Sequence, residues 1–131
     1  MFKRIFQWNR HRNNLDYNQL HEEKMLHEEV MEYLEATNKA NEAKELADII
    51  FVAVGSLGKL VGYRKAQAIM EIVMTHNEAK VGEKVNGKVT KLGVDWKAED
   101  RIKEILDQER PIQTTMDSYL YDNEHIYKGD K

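Results

Sequence analysis

The chain has no cysteine, a single proline and only seven glycines among its 131 residues. Without cysteine it can form no disulfide, no thiolate metal site and no cysteine nucleophile, and this composition fits a reducing compartment, so we expect a cytoplasmic protein. Because proline and glycine interrupt helices, their scarcity predicts long helices with few breaks. The longest apolar run falls well short of the roughly 20 residues of a membrane span, and the N-terminus lacks an uninterrupted apolar segment, so we expect neither membrane insertion nor secretion.

A large excess of one charge is also missing. The formal net charge is -3, from 20 basic and 23 acidic residues, which gives no general attraction to nucleic acid, and we expect no nucleic-acid partner. The mass of 15.4 kDa and a hydrophobic content of 41% predict one domain with a small core.

The spacing of apolar residues predicts an all-α fold with one irregular insertion. We divide the single domain into an N-terminal helix or arm (1–15), core helices that carry the candidate metal site (16–80), a loop or hairpin (81–98), and a short helix with a C-terminal tail (99–131). Asn86-Gly87 between Val85 and Lys88 is typical of a two-residue hairpin turn.

Local signals predict where the core helices begin and end. Asp16, with a glutamine three residues later, predicts the start of a helix that runs to about Asn38. Asn41 is a candidate cap for the next helix, which continues to around Gly62 and is apolar in nearly every direction. Such a helix is expected to be central and buried. A third main helix is expected at roughly 64–79.

Five carboxylates form a pattern in two pieces, Glu28-Glu29-x-x-Glu32 and then Glu45-x-x-Asp48. Residues three apart on a helix lie about 60° apart around its axis, so two antiparallel helices can aim both pairs into one cleft. Carboxylates beside a core are costly unless a cation compensates them, and hard oxygen ligands suit Mg²⁺, or Mn²⁺ as an alternative. Glu28 lies farthest from the apolar stripe, where it could be an outer ligand or a base.

Two further acids, Glu22 and Glu23, precede this pattern. Glutamate is a good helix former and most charge runs are solvated faces, so both are expected to face solvent.

The carboxylate pattern resembles the signature of the all-α nucleoside triphosphate pyrophosphohydrolases, the superfamily of MazG-like proteins. Downstream, Asn77-x-x-Lys80 and the lysine-glycine segment through Lys88 and Lys91 are similar to the phosphoribosyl-ATP pyrophosphohydrolase-like branch. The resemblance covers about residues 16–96. It implies a MazG-like helical bundle that is completed by oligomerisation, as a homodimer or homotetramer.

The resemblance also implies roles for individual residues. The implied Mg²⁺ ligands are Glu29, Glu32, Glu45 and Asp48. The implied catalytic residues are Glu28 and Glu29. The substrate is implied to bind Asn77, Lys80, Lys88 and Lys91. The implied reaction is attack of water on a nucleoside triphosphate such as dUTP or dCTP, releasing the monophosphate and pyrophosphate. Phosphoribosyl-ATP is an alternative substrate.

Two other classes of function compete with this interpretation. A non-catalytic helical protein could retain the nucleotide site for binding or assembly. A di-iron carboxylate bundle usually carries paired Glu-x-x-His motifs, and this chain has none.

Overall fold

The computed structural model describes residues 1–80, 84–85, 88–89 and 94–108, and these residues are helical apart from loops and one short hairpin. The elements are α1 (Phe2–His11), α2 (Gln19–Leu34), α3 (Lys39–Val61), α4 (Tyr63–Glu78), β1 (Lys84–Val85), β2 (Lys88–Val89) and α5 (Ala98–Leu106). The prediction of an all-α fold is confirmed.

Asparagine side chains begin both helices of the central pair. The Oδ1 atom of Asn18 accepts a hydrogen bond from the backbone N–H of His21 at 3.0 Å and so begins α2. In the same way, Asn38 accepts from the backbone of Asn41 at 2.8 Å and begins α3. The predicted caps, Asp16 and Asn41, were therefore wrong, because a suitable asparagine lies two or three residues away and takes the N-cap position in each case.

A glycine separates α3 from α4. Gly62 has φ 90° and ψ 151°, a backbone conformation that residues with a side chain adopt only with strain. It ends α3 where the sequence predicts, and α4 leaves it at a bend of 116°. None of the described helices is by itself long and apolar enough to cross a membrane; α3 and α4 meet the length and composition criteria only when taken together across this bend.

Helix α1 packs against both α3 and α4 and contributes much of the small core. Ile5 and Phe6 are each 6% exposed, and the Phe6 ring lies 5.9 Å from that of Tyr63. On α3, a Cβ atom added at Gly55 would lie 3.1 Å from the Asn9 side-chain nitrogen. The glycine thus permits the close approach of the two helices.

One face of α3 remains open to solvent. Leu46 is 44% exposed, Ile50 52% and Leu60 55%. The prediction that α3 is buried all round is therefore wrong for the single protomer. Helices α1, α2 and α4 contact the other sides of α3, and three neighbours do not surround a helix of this length.

The hairpin and α5 follow the main helices. Strands β1 and β2 pair antiparallel, with Val85 opposite Lys88, which is the register that the sequence predicts. The turn residues 86–87 and the tail 109–131 lie outside the described residues. Helix α5 packs on α4, and next to it the His76 ring meets the Trp96 ring edge to face at 4.7 Å.

Candidate metal centre

Three carboxylates from two helices come together at one end of the α2/α3 pair. Glu29 and Glu32 on α2 and Glu45 on α3 each offer one oxygen, and these oxygens lie within 4.8 Å of one another. The short link 35–38 makes the two helices antiparallel neighbours, and the three-residue spacing places both α2 acids on the side facing α3. The structure thus brings together three of the four predicted ligands.

Glu45 is the least accessible carboxylate of this cluster, at 8% exposed. Its Oε2 atom accepts a hydrogen bond from the Asn41 side chain at 3.3 Å. Its Oε1 atom is buried and has no hydrogen-bond partner within the described part of the chain; the nearest ammonium, that of Lys44, is 3.6 Å away. A buried carboxylate oxygen without a donor is costly, and a cation would satisfy it.

The electrostatics of Glu29 point to the same need for a cation. Partial burial raises the pKa of Glu29 above its ordinary value of 4.5, and the nearby Glu32, Asp48 and Glu45 raise that pKa further. A divalent ion among these carboxylates would replace their mutual repulsion by attraction. The donor set is all oxygen, which fits Mg²⁺ or Mn²⁺.

Asp48 lies beside the cluster and is held by a lysine. Lys44 Nζ is 2.8 Å from a carboxylate oxygen of Asp48, and the hydrogen bond to Asp48, followed by the charges of Asp48 and Glu45, raises the pKa of Lys44. Asp48 is close enough to act on Glu29, but it is not part of the tightest group of three. Lys44 contacts Oδ2 of Asp48, so its ammonium competes with a metal for one of the two carboxylate oxygens.

Glu28 precedes the first of these acids on α2. It is exposed to solvent and does not belong to the group of three. This position agrees with an outer role, and its part in catalysis stays a prediction.

Asn77 lies in the last turn of α4, and Lys80 lies two residues beyond its end. The Asn77 side-chain nitrogen donates to the carbonyl of Val73 at 2.8 Å, and the Lys80 ammonium donates to the Asn77 side-chain oxygen. With 1.5 Å of rise per residue along α3 and α4 and a bend of 116° between them, the helix axes at Asn77 and at Glu45 are roughly 25 Å apart. Within one protomer, the structure therefore does not bring these two predicted substrate-binding residues to the acids.

The remaining predicted substrate-binding residues are on the hairpin segment. Lys88 lies in β2, and its side chain is outside the description. Lys91 lies outside the described residues.

The sequence did not predict the burial of one carboxylate. Glu23 is exposed as expected, but Glu22 is only 3% exposed, so the prediction that it faces solvent was wrong. Its carboxylate accepts a hydrogen bond from the Ser56 hydroxyl at 2.6 Å and pairs with the Lys59 ammonium at 3.0 Å. The available signal was a lysine and a serine within the apolar stretch of α3, on the face that also carries Glu45.

Comparison with known proteins identifies a family. The family model described as phosphoribosyl-ATP pyrophosphohydrolase matches residues 3–77, which is more than half of the chain. The matched segment includes all five acids of the split pattern and ends at Asn77. Neither the curated proteins nor the solved structures contain a significant match.

Proposed function

Because the chain belongs to the phosphoribosyl-ATP pyrophosphohydrolase family and is thus a pyrophosphohydrolase, a hydrolase of phosphoric anhydride bonds, we propose that it cleaves a nucleotide triphosphate chain in a Mg²⁺-dependent reaction. The products are the nucleoside monophosphate and pyrophosphate. The observation that carries the proposal is the group of three carboxylate oxygens within 4.8 Å. One of these carboxylates, Glu45, has a buried oxygen with no hydrogen-bond partner among the described residues.

We assign the metal to Glu29, Glu32 and Glu45, with Asp48 as a fourth ligand. A bound Mg²⁺ would neutralise charge on the phosphates and make the attacking water more acidic. The residues of the chain hold that charge in place: α2 and α3 fix the acid pairs, and burial of Glu45 keeps competing water away from it.

Glu28 is the candidate that accepts the proton of the attacking water. It is next to Glu29 in sequence yet outside the metal group, so its carboxylate is free of the ligand role that Glu29 has. In this assignment Glu29 has two roles: it binds the metal and it orients the attacking water.

The substrate is a nucleotide that carries a 5′-triphosphate. The family description favours phosphoribosyl-ATP, while dUTP and dCTP are the candidates that the sequence resemblance suggests. All three share the anhydride bond between the α and β phosphorus atoms, which is where we place the attack.

We further propose that a second copy of the chain completes the substrate site, in a homodimer or homotetramer. The open apolar face of α3, with Leu46, Ile50 and Leu60, is of the kind that a subunit interface covers. Asn77, whose position on the helix axis is roughly 25 Å from that of Glu45 in the same protomer, and Lys80 just after it then reach the acids from the partner.

A panel of triphosphates tests the reaction and the substrate together. Phosphoribosyl-ATP, dUTP, dCTP and ATP are each incubated with Mg²⁺ or Mn²⁺ in ¹⁸O-labelled water, and the products are identified by mass spectrometry. We expect pyrophosphate together with label in the monophosphate, because water attacks the α-phosphorus. Label in the pyrophosphate would contradict that site of attack, and binding without turnover of any substrate would favour the non-catalytic alternative.

Variants test the residue roles. Glu32→Gln and Asp48→Asn are expected to lower kcat/KM at least a hundredfold, whereas Glu42→Gln removes the same charge from an exposed position on α3 and should change it little. Glu28→Gln should lower kcat while Mn²⁺ affinity stays unchanged, as befits a base that does not bind the metal. Full activity of both ligand variants would refute the metal assignment.

A further inference from the structure

A buried ion pair joins α2 and α3 away from the acid cluster. Both side chains of the Glu22–Lys59 pair are only 4% exposed, and their charged atoms are 3.0 Å apart. The Ser56 hydroxyl donates to the other carboxylate oxygen at 2.6 Å. Each oxygen of Glu22 therefore has its own donor from α3.

The proposed reaction does not use this network, and stability is a weak explanation for it. Removing two opposite charges from water costs about as much as their attraction returns, and well-packed apolar residues often stabilise a protein as much or more. Such a pair fixes the position of one helix along the other. Apolar contacts tolerate a shift of one helix along its neighbour, whereas hydrogen bonds to two fixed donors do not.

The network and the acid cluster belong to the same helix register. Glu22 is seven residues before Glu29 on α2 (22 to 29), and Ser56 is eight residues after Asp48 on α3 (48 to 56). In antiparallel helices these are nearly equal steps of about two turns, roughly 10–12 Å. Because α2 moves as one helix, a shift that broke the bonds to Glu22 would move Glu29 and Glu32 relative to Glu45 by as much as it moved Glu22.

We infer that this ion pair and its serine are positioning residues, which fix the register of α2 against α3 and thereby the spacing of the metal ligands on the two helices. The inference rests on the proposed metal site. Groups that hydrogen-bond metal ligands typically alter metal affinity by about 10- to 100-fold, and for a network that acts through the positions of two helices we expect the lower figure.

The decisive variant is Glu22→Met combined with Lys59→Met. It removes one charge of each sign, so the net charge of the protein and its general attraction for cations stay the same. Two methionines can fill the buried space, so we expect a folded helical protein by circular dichroism. We expect its Kd for Mn²⁺ to be at least about tenfold higher than that of the unmodified protein. Calorimetry and electron paramagnetic resonance of free Mn²⁺ at 25 °C measure both values.

A matched pair of single variants covers the case in which the double variant does not fold. Glu22→Gln keeps the shape of the side chain but not its charge, and Glu23→Gln makes the same change on the exposed neighbour. The first should weaken Mn²⁺ binding several-fold relative to the second.

The outcomes separate the two proposals. If the unmodified protein binds Mn²⁺ and the folded Glu22 variants bind it within twofold of their controls, the positioning role is overturned and the metal site stands. If none of the Glu22 variants folds, the network serves folding alone and the inference is also overturned. If the unmodified protein does not bind Mn²⁺, the metal site itself is wrong and the inference falls with it.

Discussion

Replacing Glu45 by glutamine should make the metal-free protein more stable while removing its response to metal. The change keeps the hydrogen bond with Asn41, since the amide oxygen can accept it, and takes away the charge of a carboxylate that is only 8% exposed. Oxygens of Glu29 and Glu32 lie within 4.8 Å of it. The substitution therefore relieves repulsion at the most buried point of the cluster.

The size of the effect follows from Coulomb's law. Two like charges at 4.8 Å repel by roughly 3 kcal/mol at an effective dielectric constant of about 20 and by roughly 1 kcal/mol in bulk water. Glu29 and Glu32 are partly or largely in contact with solvent and Lys44 offsets part of the repulsion, so the lower figure applies. We expect a gain of about 1 kcal/mol, or about 4 °C in Tm for a domain of this size.

Adding Mn²⁺ should reverse the order of the Tm values of the two proteins. With Mn²⁺ at about 100 times its Kd, the unmodified protein should gain about 2.7 kcal/mol, or about 10 °C in Tm, and the Glu45→Gln variant less than half of this. Differential scanning fluorimetry with and without Mn²⁺ measures both shifts, and Glu42→Gln serves as the control of equal charge change. The reasoning is refuted if Glu45→Gln lowers Tm without metal or keeps the full Mn²⁺ response.

Three further predictions concern single residues. Gly62→Ala should lower the unfolding free energy by about 1–3 kcal/mol, because the backbone at φ 90° is strained for any residue with a Cβ atom; a urea midpoint equal to that of the unmodified protein would contradict this. Although burial opposes its ionisation, the hydrogen bonds and ion pair of Glu22 lower its pKa below the ordinary 4.5, so its contribution to stability is present above pH 4.5 and is lost as the pH falls through the lowered pKa. Urea titrations between pH 7 and 3 should therefore show a smaller loss for Glu22→Gln than for the unmodified protein, and parallel curves would count against it. Lys44→Met should strengthen Mn²⁺ binding, since the ammonium 2.8 Å from Asp48 competes with the metal; calorimetry that finds weaker binding would mean that Lys44 assists the metal instead.

The acid cluster could be predicted from the sequence because it depends on local rules. The three-residue spacings put each acid pair on one helix face, and a short link makes the two helices neighbours, so no distant contact was needed to foresee that Glu29, Glu32 and Glu45 meet. The end of α3 at Gly62 was foreseeable for the same reason. The helix starts were less so, because several capping residues lie within three positions of one another and the sequence does not rank them.

What the sequence could not supply are relations between distant residues. Glu22 and its partners are 34 and 37 residues apart, and a charged side chain in a polar run carries no mark of such a partner. The direction of α4, and with it the distance of Asn77 from the acids, depends on a bend of 116° at Gly62, and the sequence does not specify the size of that bend. The sequence of an apolar helix has the same pattern whether its own protomer or another chain covers it. The open face of α3 was therefore not predicted.

The open face of α3 has a practical consequence for stability measurements if the chain forms the proposed oligomer. Where a second copy covers Leu46, Ile50 and Leu60, folding and association are one equilibrium, and the apparent unfolding free energy rises with protein concentration. Helix α3 carries both this face and Glu45, so dilution that separates the copies would also loosen the helix that holds the metal. In the proposed oligomer, Mn²⁺ affinity would therefore depend on protein concentration, and affinities should be compared at a single concentration of the protein.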